Sequence, residues 1–166
     1  MIAPLLSVTA LSRAFGGVLA VDQVSFDLAP GKVNSIIGPN GAGKTTLLNL
    51  LTGIYAPSTG NVVFDGADVT GFAPHRLAAR GMARTFQNLQ VFFNMSAIEN
   101  VMIGRHLRES TGWFAAMLRS RGLRAGEHES REEAAALMQF VGLGEFLDAE
   151  ADAMPYGALK RLEIAR

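Results

Sequence analysis

The sequence predicts an α/β fold whose first half mixes strands with helices and whose second half is mostly helical. In the first half, short apolar strands alternate with turns, and a strand, a glycine-rich loop and a helix follow one another from Val33 to Thr52. In the second half, apolar residues recur at helical spacing after Ser-x-x-Glu capping boxes. We therefore expect a core with a β subdomain over residues 1–90, a helical subdomain over 91–158, and the start of a further helix at 159–166.

Length and composition restrict the class of protein. At 166 residues, of which 49% are hydrophobic, the chain is about one domain long and can bury a core. Fifteen basic residues balance fifteen acidic ones, which argues against a protein drawn to nucleic acid by bulk charge. Cysteine is absent, which excludes disulfides and thiolate metal sites. We expect neither a signal peptide nor a membrane span, because no basic N-terminal segment and no run of ~18 apolar residues occurs.

Turn residues and alternating apolar residues define the strands expected in the first half. The predicted strands include Leu5–Leu11, Val21–Leu28, Asn61–Phe64 and Ala83–Phe86. A turn at Phe15-Gly16-Gly17 joins the first two strands, and Asp65-Gly66 is the two-residue turn of a hairpin that returns through Ala67–Thr70. Pro74 at a first helical position and Gly81 bracket a short helix.

Capping signals define the helices expected in the second half. Ser96 and Glu99 form a capping box at the start of one helix, and Ser130 and Glu133 form a second box. The core face of the second helix is predicted to carry Ala134, Leu137, Met138 and Val141. Residues 105–128 mix arginines and aromatic residues with glutamates, so we interpret them as a solvated helical face rather than a nucleic-acid patch.

One stretch carries a specific chemical signal. Residues 38–46 fit G-x-x-x-x-G-K-[ST], the phosphate-binding loop of nucleotide triphosphatases, and they are Gly38, Pro39, Asn40, Gly41, Ala42, Gly43, Lys44, Thr45 and Thr46. Val33–Ile37 is predicted to be a short buried strand before the loop, and Lys44–Thr52 a helix after it. The alternative is an ordinary glycine-rich turn, and the flanking strand and helix argue against it.

Each residue type in this loop has a physical role. The glycines permit backbone conformations that a side chain would forbid, so that successive N–H groups can surround phosphate oxygens. The helix that follows directs its positive dipole end at the same anion. Lys44 is expected to contact the β- and γ-phosphates, and the Thr45 hydroxyl to ligate Mg²⁺. The sequence therefore predicts that the chain binds a nucleoside triphosphate.

Several motifs outside the loop carry a resemblance to a known family. They are Thr45-Thr46-Leu47, Thr52-Gly53, Arg84-Thr85-Phe86-Gln87-Asn88, Glu99-Asn100-Val101 and Arg161-Leu162-Glu163-Ile164-Ala165-Arg166. With them, the chain from about Ser7 to Arg166 resembles the ATP-binding subunits of ABC transporters, most closely the branched-chain amino acid importer ATPases. The resemblance implies a P-loop NTPase fold, the RecA-like ABC ATPase core, with an antiparallel β subdomain and a helical subdomain.

The resemblance also implies roles for single residues. Phe15 matches the aromatic residue that stacks on adenine, and the alternative is a hydrophobic residue that caps a strand pair. Gln87 matches the glutamine that approaches Mg²⁺ and the attacking water and links the site to the membrane subunit, and the alternative is an ordinary loop amide. Phe92 and Phe93 either contact the transmembrane partner or belong to the core.

Residues 154–158, Met154-Pro155-Tyr156-Gly157-Ala158, take the place of the family signature, which is L-S-G-G-Q in its commonest form. In the family, this stretch faces the γ-phosphate held by the other protomer. Pro155 stands where a serine would donate and Ala158 where a glutamine would, whereas Gly157 is kept. Backbone N–H groups at a helix N-terminus can bind phosphate without help from side chains. We therefore expect residues 155–158 to contact the phosphate in trans, with a weaker contribution from side chains.

The resemblance further implies segments that should follow Arg166. They are a strand with the aspartate that orders Mg²⁺ and the glutamate that acts as general base, and then a histidine that senses the γ-phosphate. Because the 166 residues contain none of these, we expect the chain to be incomplete at its C-terminus. We accordingly expect it to be poorly soluble alone, to bind nucleotide weakly and to catalyse no hydrolysis by itself.

The function implied is the hydrolysis of ATP, with Mg²⁺ as cofactor, to drive amino acid import at the cytoplasmic face of the membrane. The expected partners are transmembrane permease subunits, a second ATP-binding subunit and, indirectly, a periplasmic or extracellular solute-binding protein, without nucleic acid. A small-molecule kinase is one alternative, against which Gln87 and Gly157 argue. Two others are a non-transport ABC ATPase acting on nucleic acid or ribosomes, against which the balanced charge argues, and a nucleotide-binding fragment without turnover.

Overall fold

Two compact units make up the chain in the computed structural model, which describes residues 3–104 and 121–166. The first unit is Met1–Arg84 and the second is Thr85–Arg166. The division that we expect from the sequence, with boundaries at residues 90 and 158, stays a prediction.

The first unit is built on an antiparallel sheet of four strands in the order β2-β1-β3-β4. The strands are β1 (Leu6–Phe15), β2 (Val18–Leu28), β3 (Thr59–Phe64) and β4 (Ala67–Asp68). Leu6 of β1 pairs with Leu28 of β2 on one side and with Phe64 of β3 on the other. The predicted strands at these positions are confirmed, and β1 and β2 are longer than expected because they continue to the turn that joins them.

Both predicted hairpin turns are confirmed. Gly16 and Gly17 have φ angles of 49° and 92°, and Asp65 and Gly66 have φ angles of 47° and 73°. Positive φ at both central residues is the conformation that matches the twist of the flanking strands. The short helix α2 (Pro74–Ala78) begins with its proline in the first turn, as predicted.

The core of the first unit joins the sheet to the helix α1 (Lys44–Leu51). Its buried members are Leu6, Val8, Leu11, Val21, Leu47, Leu50, Leu51, Val62, Val69 and Leu77. Leu47, Leu50 and Leu51 lie on one side of the helix because positions three and four apart share a face. Burying each of them contributes about 1.5–3 kcal/mol, so the apolar side of α1 is anchored in the core.

Two segments that we predicted as strands are not strands. Val33–Ile37 is irregular, with Val33 fully exposed and Ile37 exposed by 92%, so the prediction of a buried strand was wrong. Ala83–Phe86 is irregular as well. A strand needs a neighbour that pairs with its backbone N–H and C=O groups, and none of the described strands pairs with either segment.

The second unit is helical. Among its described residues, the helices are α3 (Ala97–Gly104), α4 (Arg121–Phe140) and α5 (Tyr156–Ala165), and 3₁₀ turns lie at Gly144–Phe146 and Ala151–Ala153. They share a core of Ala97, Ile98, Val101, Ala134, Met138, Leu143, Ala151, Met154, Ala158, Leu159, Leu162 and Ala165. In the part of the chain that the structure describes, no helix is both long and apolar enough to cross a bilayer.

Only the first of the two predicted capping boxes is confirmed. The Ser96 N–H donates to the Glu99 carboxylate at 2.8 Å, and the Glu99 N–H donates to the Ser96 hydroxyl at 3.4 Å. Ser130 lies inside α4 instead, where backbone N–H groups already have acceptors in the preceding turn, so the second box was wrong. Ser130 is buried, and its hydroxyl has no partner among the described residues. The prediction for residues 105–120 lies outside the described residues.

Candidate functional site

The glycine-rich loop connects the irregular residues 33–37 to α1. Gly41 and Gly43 have φ angles of 84° and 79°, which residues with a side chain rarely adopt. Gly43 is also restricted by space, because a Cβ atom there would lie 2.3 Å from the carbonyl oxygen of Ala20 in β2. The second glycine that the pattern specifies, Gly43, is therefore required both for its conformation and for the close approach of the loop to the sheet.

The N-terminus of α1 offers backbone donors at the end of this loop. The first hydrogen bond within the helix runs from the Leu47 N–H to the Gly43 carbonyl at 2.8 Å. The N–H groups of Lys44, Thr45 and Thr46 consequently have no acceptor within the helix. Together with the helix dipole, they make this end of α1 attractive to an anion. The Thr45 side chain is exposed in the same turn.

The Lys44 side chain folds back over the loop. Its ammonium group donates to the carbonyl oxygens of Gly38 and Pro39, at 2.7 Å in each case. Lys44 also lines a cavity of about 170 Å³, together with β2 residues and with Ile36 and Ile37. The positive charge is thus held at the loop beside open space, where phosphate oxygens can replace the two carbonyl acceptors.

Phe15 lies at the end of β1 beside the Gly16-Gly17 turn and is 37% exposed. Its ring meets the ring of Tyr55 edge to face, with centroids 5.2 Å apart, and the guanidinium carbon of Arg13 lies 4.7 Å from its centroid. The Arg13 guanidinium is itself fixed by a 2.8 Å hydrogen bond to the Ala56 carbonyl. These contacts hold the ring in place, and they are compatible with base stacking and with a capping role alike.

Gln87 is exposed, and its main chain is held by α5. The Lys160 ammonium donates to the carbonyl oxygens of Phe86 and Gln87 at 2.7 and 3.2 Å. The Glu163 carboxylate accepts the Phe86 N–H at 3.1 Å and lies 3.0 Å from the Lys160 ammonium. The backbone at Gln87 is therefore fixed by an ion pair, while the amide side chain faces solvent.

The environment of Glu163 keeps its carboxylate ionised. Burial by itself raises the pKa of Glu163, because it disfavours the charged form. The hydrogen bonds from the Phe86 N–H and from Lys160, with the charges of Lys160 and Arg166, outweigh burial, so the pKa lies below its ordinary value. The ion pair with Lys160 is accordingly formed at neutral pH.

The predicted signature stretch begins α5. Pro155, Tyr156 and Gly157 are exposed, Tyr156 by 64%. The Pro155 carbonyl accepts the N–H groups of Ala158 and Leu159 at 2.9 and 3.1 Å, so the N–H groups of Tyr156 and Gly157 have no acceptor within the helix. Ala158 is only 2% exposed and packs in the helical core, so its side chain adds nothing to this surface.

Comparison with known proteins identifies the family. A family model described as ABC transporter matches residues 21–166. The chain belongs to the ABC transporter family. Over 163 residues it is 42% identical to the high-affinity branched-chain amino acid transport ATP-binding protein BraF of Pseudomonas aeruginosa and 40% identical to LivG of Escherichia coli. Each match covers 98% of this chain, which spans 64% of the length of these curated relatives.

Solved structures confirm the fold of this ABC transporter family member. The chain is similar to the crystal structure of an ATP-binding cassette of an ABC transporter in its ADP conformation, with a TM-score of 0.79 and 30% identity. A nucleotide-free ATP-binding cassette from an ABC transporter also gives 0.79, with 31% identity. The two matches cover 99% and 98% of this chain and 64% of each solved chain. The predicted P-loop NTPase fold with an antiparallel sheet and helices is confirmed.

Three side chains of this ABC transporter chain had no role assigned from the sequence. Lys160 and Glu163 hold the backbone at Gln87, and Asn100 is fully buried and exchanges hydrogen bonds of 2.8 and 3.0 Å with the backbone of Phe92. A lysine three residues before a glutamate on a helix indicates an ion pair. Phe86, which both residues contact, lies 74 positions before Lys160 and 77 positions before Glu163. No pattern in the neighbouring residues indicates a contact over that distance.

Proposed function

We propose that the protein is the ATP-binding and ATP-hydrolysing subunit of an ABC importer for branched-chain amino acids. The observation that carries the proposal is the loop at Gly43, with open N–H groups at the start of α1 and the Lys44 ammonium folded over it. The relatives named BraF and LivG support branched-chain amino acids as the transported class.

The chemistry asked of these residues is mostly positioning and electrostatic stabilisation. Phosphoryl transfer spreads negative charge over the γ-phosphoryl oxygens, and fixed donors stabilise that charge without reorganising. Lys44 exchanges its carbonyl acceptors for β- and γ-phosphate oxygens, and the N–H groups of α1 bind the same anion. Bound Mg²⁺ would supply further charge neutralisation at this site. We assign Thr45 and Gln87 as its protein ligands on the strength of the family motifs.

The remaining assignments concern partners. We assign Phe15 to adenine stacking, and Pro155, Tyr156 and Gly157 to contact with the γ-phosphate bound by a second ATP-binding subunit. Phe92 and Phe93 are 44% and 46% exposed, which supports a contact of Gln87 and the segment after it with the permease. The protein then works at the cytoplasmic face of the membrane. A periplasmic or extracellular solute-binding protein acts on it only indirectly, through the permease.

Replacing Lys44 tests the proposal directly. Lys44→Ala should remove most MgATP affinity, because the ammonium over the loop is the group that contacts the β- and γ-phosphates. Titration with a fluorescent ATP analogue measures the loss, and Lys32→Ala, which removes an exposed lysine before the loop, is the matched control. Equal affinity in the two variants would refute the phosphate-loop assignment.

A further inference from the structure

The Lys160–Glu163 ion pair joins two stretches to which the proposed function gives different roles. One is the exposed start of α5, Pro155–Gly157, and the other is the backbone of Phe86 and Gln87. Lys160 lies three residues after Gly157 on the same helix, a rise of about 4.5 Å. A helix this short moves as a rigid body, so whatever displaces its first turn also displaces Lys160.

The pair is built as a clamp rather than as a surface ion pair. The Glu163 side chain is 5% exposed and that of Lys160 30%. Of the two carboxylate oxygens, one accepts the Phe86 N–H and the other faces the Lys160 ammonium, which also donates to two successive carbonyls. Charge-assisted hydrogen bonds at low exposure are stronger than neutral ones and fix direction as well as distance.

A second contact from the end of α5 reaches the same segment. The Arg166 guanidinium donates to the Gln90 carbonyl, and its carbon lies 5.2 Å from the centroid of the Phe92 ring. In addition, Asn100 of α3 holds the Phe92 backbone through both its amide oxygen and its amide nitrogen. The residues from Phe86 to Phe92 are therefore fixed by side chains at several points, and α5 supplies the ones next to Gln87.

We propose that Lys160 and Glu163 are positioning residues that transmit the state of the start of α5 to the backbone of Gln87. The inference rests on the proposed function, since Gln87 is the coupling residue only in an importer ATPase. Binding of an anion by the open N–H groups of Tyr156 and Gly157 pulls on α5, and the clamp carries that displacement to Phe86 and Gln87. The position of the exposed Gln87 amide therefore depends on whether an anion is bound at the first turn of α5.

The helix itself provides a matched control. Arg161, the neighbour of Lys160, also donates from a long cationic side chain to two successive backbone carbonyls, those of Val141 and Gly142 at 3.4 and 2.9 Å. Lys160→Met and Arg161→Met thus each remove one such cationic contact from α5, and only the first touches Gln87. Because Lys160→Met leaves the Glu163 charge without its ammonium partner, the double variant Lys160→Met/Glu163→Gln separates the loss of the clamp from that cost.

The experiment uses the complete subunit assembled with its permease in vesicles, where ATP hydrolysis and solute uptake are both measured. Lys160→Met and the double variant should lower the ratio of uptake to hydrolysis about 2- to 30-fold, with MgATP affinity unchanged. Lys160→Arg should restore the ratio, and Arg161→Met should leave it at the parental value. Hydrogen exchange at the Phe86 N–H should accelerate in the double variant, where a neutral amide replaces the carboxylate that accepts this N–H, and not in Arg161→Met.

Three outcomes would overturn the inference: a parental ratio in Lys160→Met, an equal loss in Arg161→Met, or unchanged exchange at Phe86 in the double variant. Failure of the proposed function looks different. In that case the parental protein itself shows no Lys44-dependent binding of MgATP and no solute-stimulated hydrolysis, while the exchange measurement still reports whether the clamp exists.

Discussion

β1 and the segment Val33–Ile37 belong to the same unit, and both carry apolar and β-branched residues. β1 pairs with β2 and β3, and Val8 and Leu11 within it are 2% and 0% exposed. Val33–Ile37 pairs with no described strand and leaves its apolar side chains in solvent. The difference shows that apolar character favours a strand only where a neighbour takes up the backbone hydrogen bonds and covers the side chains.

The glycine loop shows how a site can form beside an unpaired segment. Its two ends are fixed by contacts that do not involve strand pairing of residues 33–37. On one side Gly43 lies against the Ala20 carbonyl of β2, and on the other the apolar face of α1 is buried in the core. The loop geometry therefore depends on the paired sheet rather than on the segment that precedes the loop in the chain.

The largest expected effect contrasts the two regions directly. Leu11→Ala should lower the free energy of unfolding of the first unit by about 2–5 kcal/mol, because it opens a cavity under a fully buried side chain. Ile37→Ala removes a side chain that is 92% exposed and should change stability by no more than about 0.5 kcal/mol. Urea unfolding followed by circular dichroism measures both. Comparable losses would mean that residues 33–37 are packed in solution.

A smaller effect should separate the two glycines of the loop. Gly41→Ala places a side chain at a φ of 84° with nothing within 4 Å, so only backbone strain of about 1–3 kcal/mol is expected. Gly43→Ala adds to similar strain a contact of 2.3 Å with the Ala20 carbonyl, and it should be the more destabilising of the two. The same unfolding measurement decides between them, and equal costs would show that the loop does not rest on β2.

The smallest effect concerns the capping box of α3. Unlike residues 33–37, its two residues, Ser96 and Glu99, supply donors and acceptors to each other. The Ser96 hydroxyl and N–H both donate to Glu99 and lower its pKa below the usual value of about 4.3. A depressed pKa means that the folded state favours the carboxylate. This contribution is present above pH 4.3 and is lost as the pH falls through the folded pKa. Stability measured from pH 7 to pH 3 should therefore fall less steeply in Glu99→Gln, and a parental slope in that variant would contradict the box.

Local structure was the part that the sequence determined by itself. The Gly16-Gly17 and Asp65-Gly66 turns, the proline at the start of α2 and the Ser96–Glu99 box each place donor and acceptor within a few residues of one another. Such features form wherever the chain passes through the right dihedral angles, and for this reason they are legible from residue types alone. The phosphate-loop pattern is legible for the same reason, because the positive φ angles of Gly41 and Gly43 and the contacts of Lys44 with Gly38 and Pro39 are local, whereas the close approach of Gly43 to Ala20 is not.

Tertiary structure decided what depends on residues far apart in the chain. The Ser130 box was wrong because the helix already ran through it, and the strand at Val33–Ile37 was wrong because strand pairing is a property of two segments and not of one. The clamp on Gln87 joins positions separated by more than 70 residues, and Ala158 lies in the core because the side of α5 that carries it packs inward. Backbone pairing and burial are settled by neighbours in space, and a neighbour distant in the chain leaves no trace in local residue types.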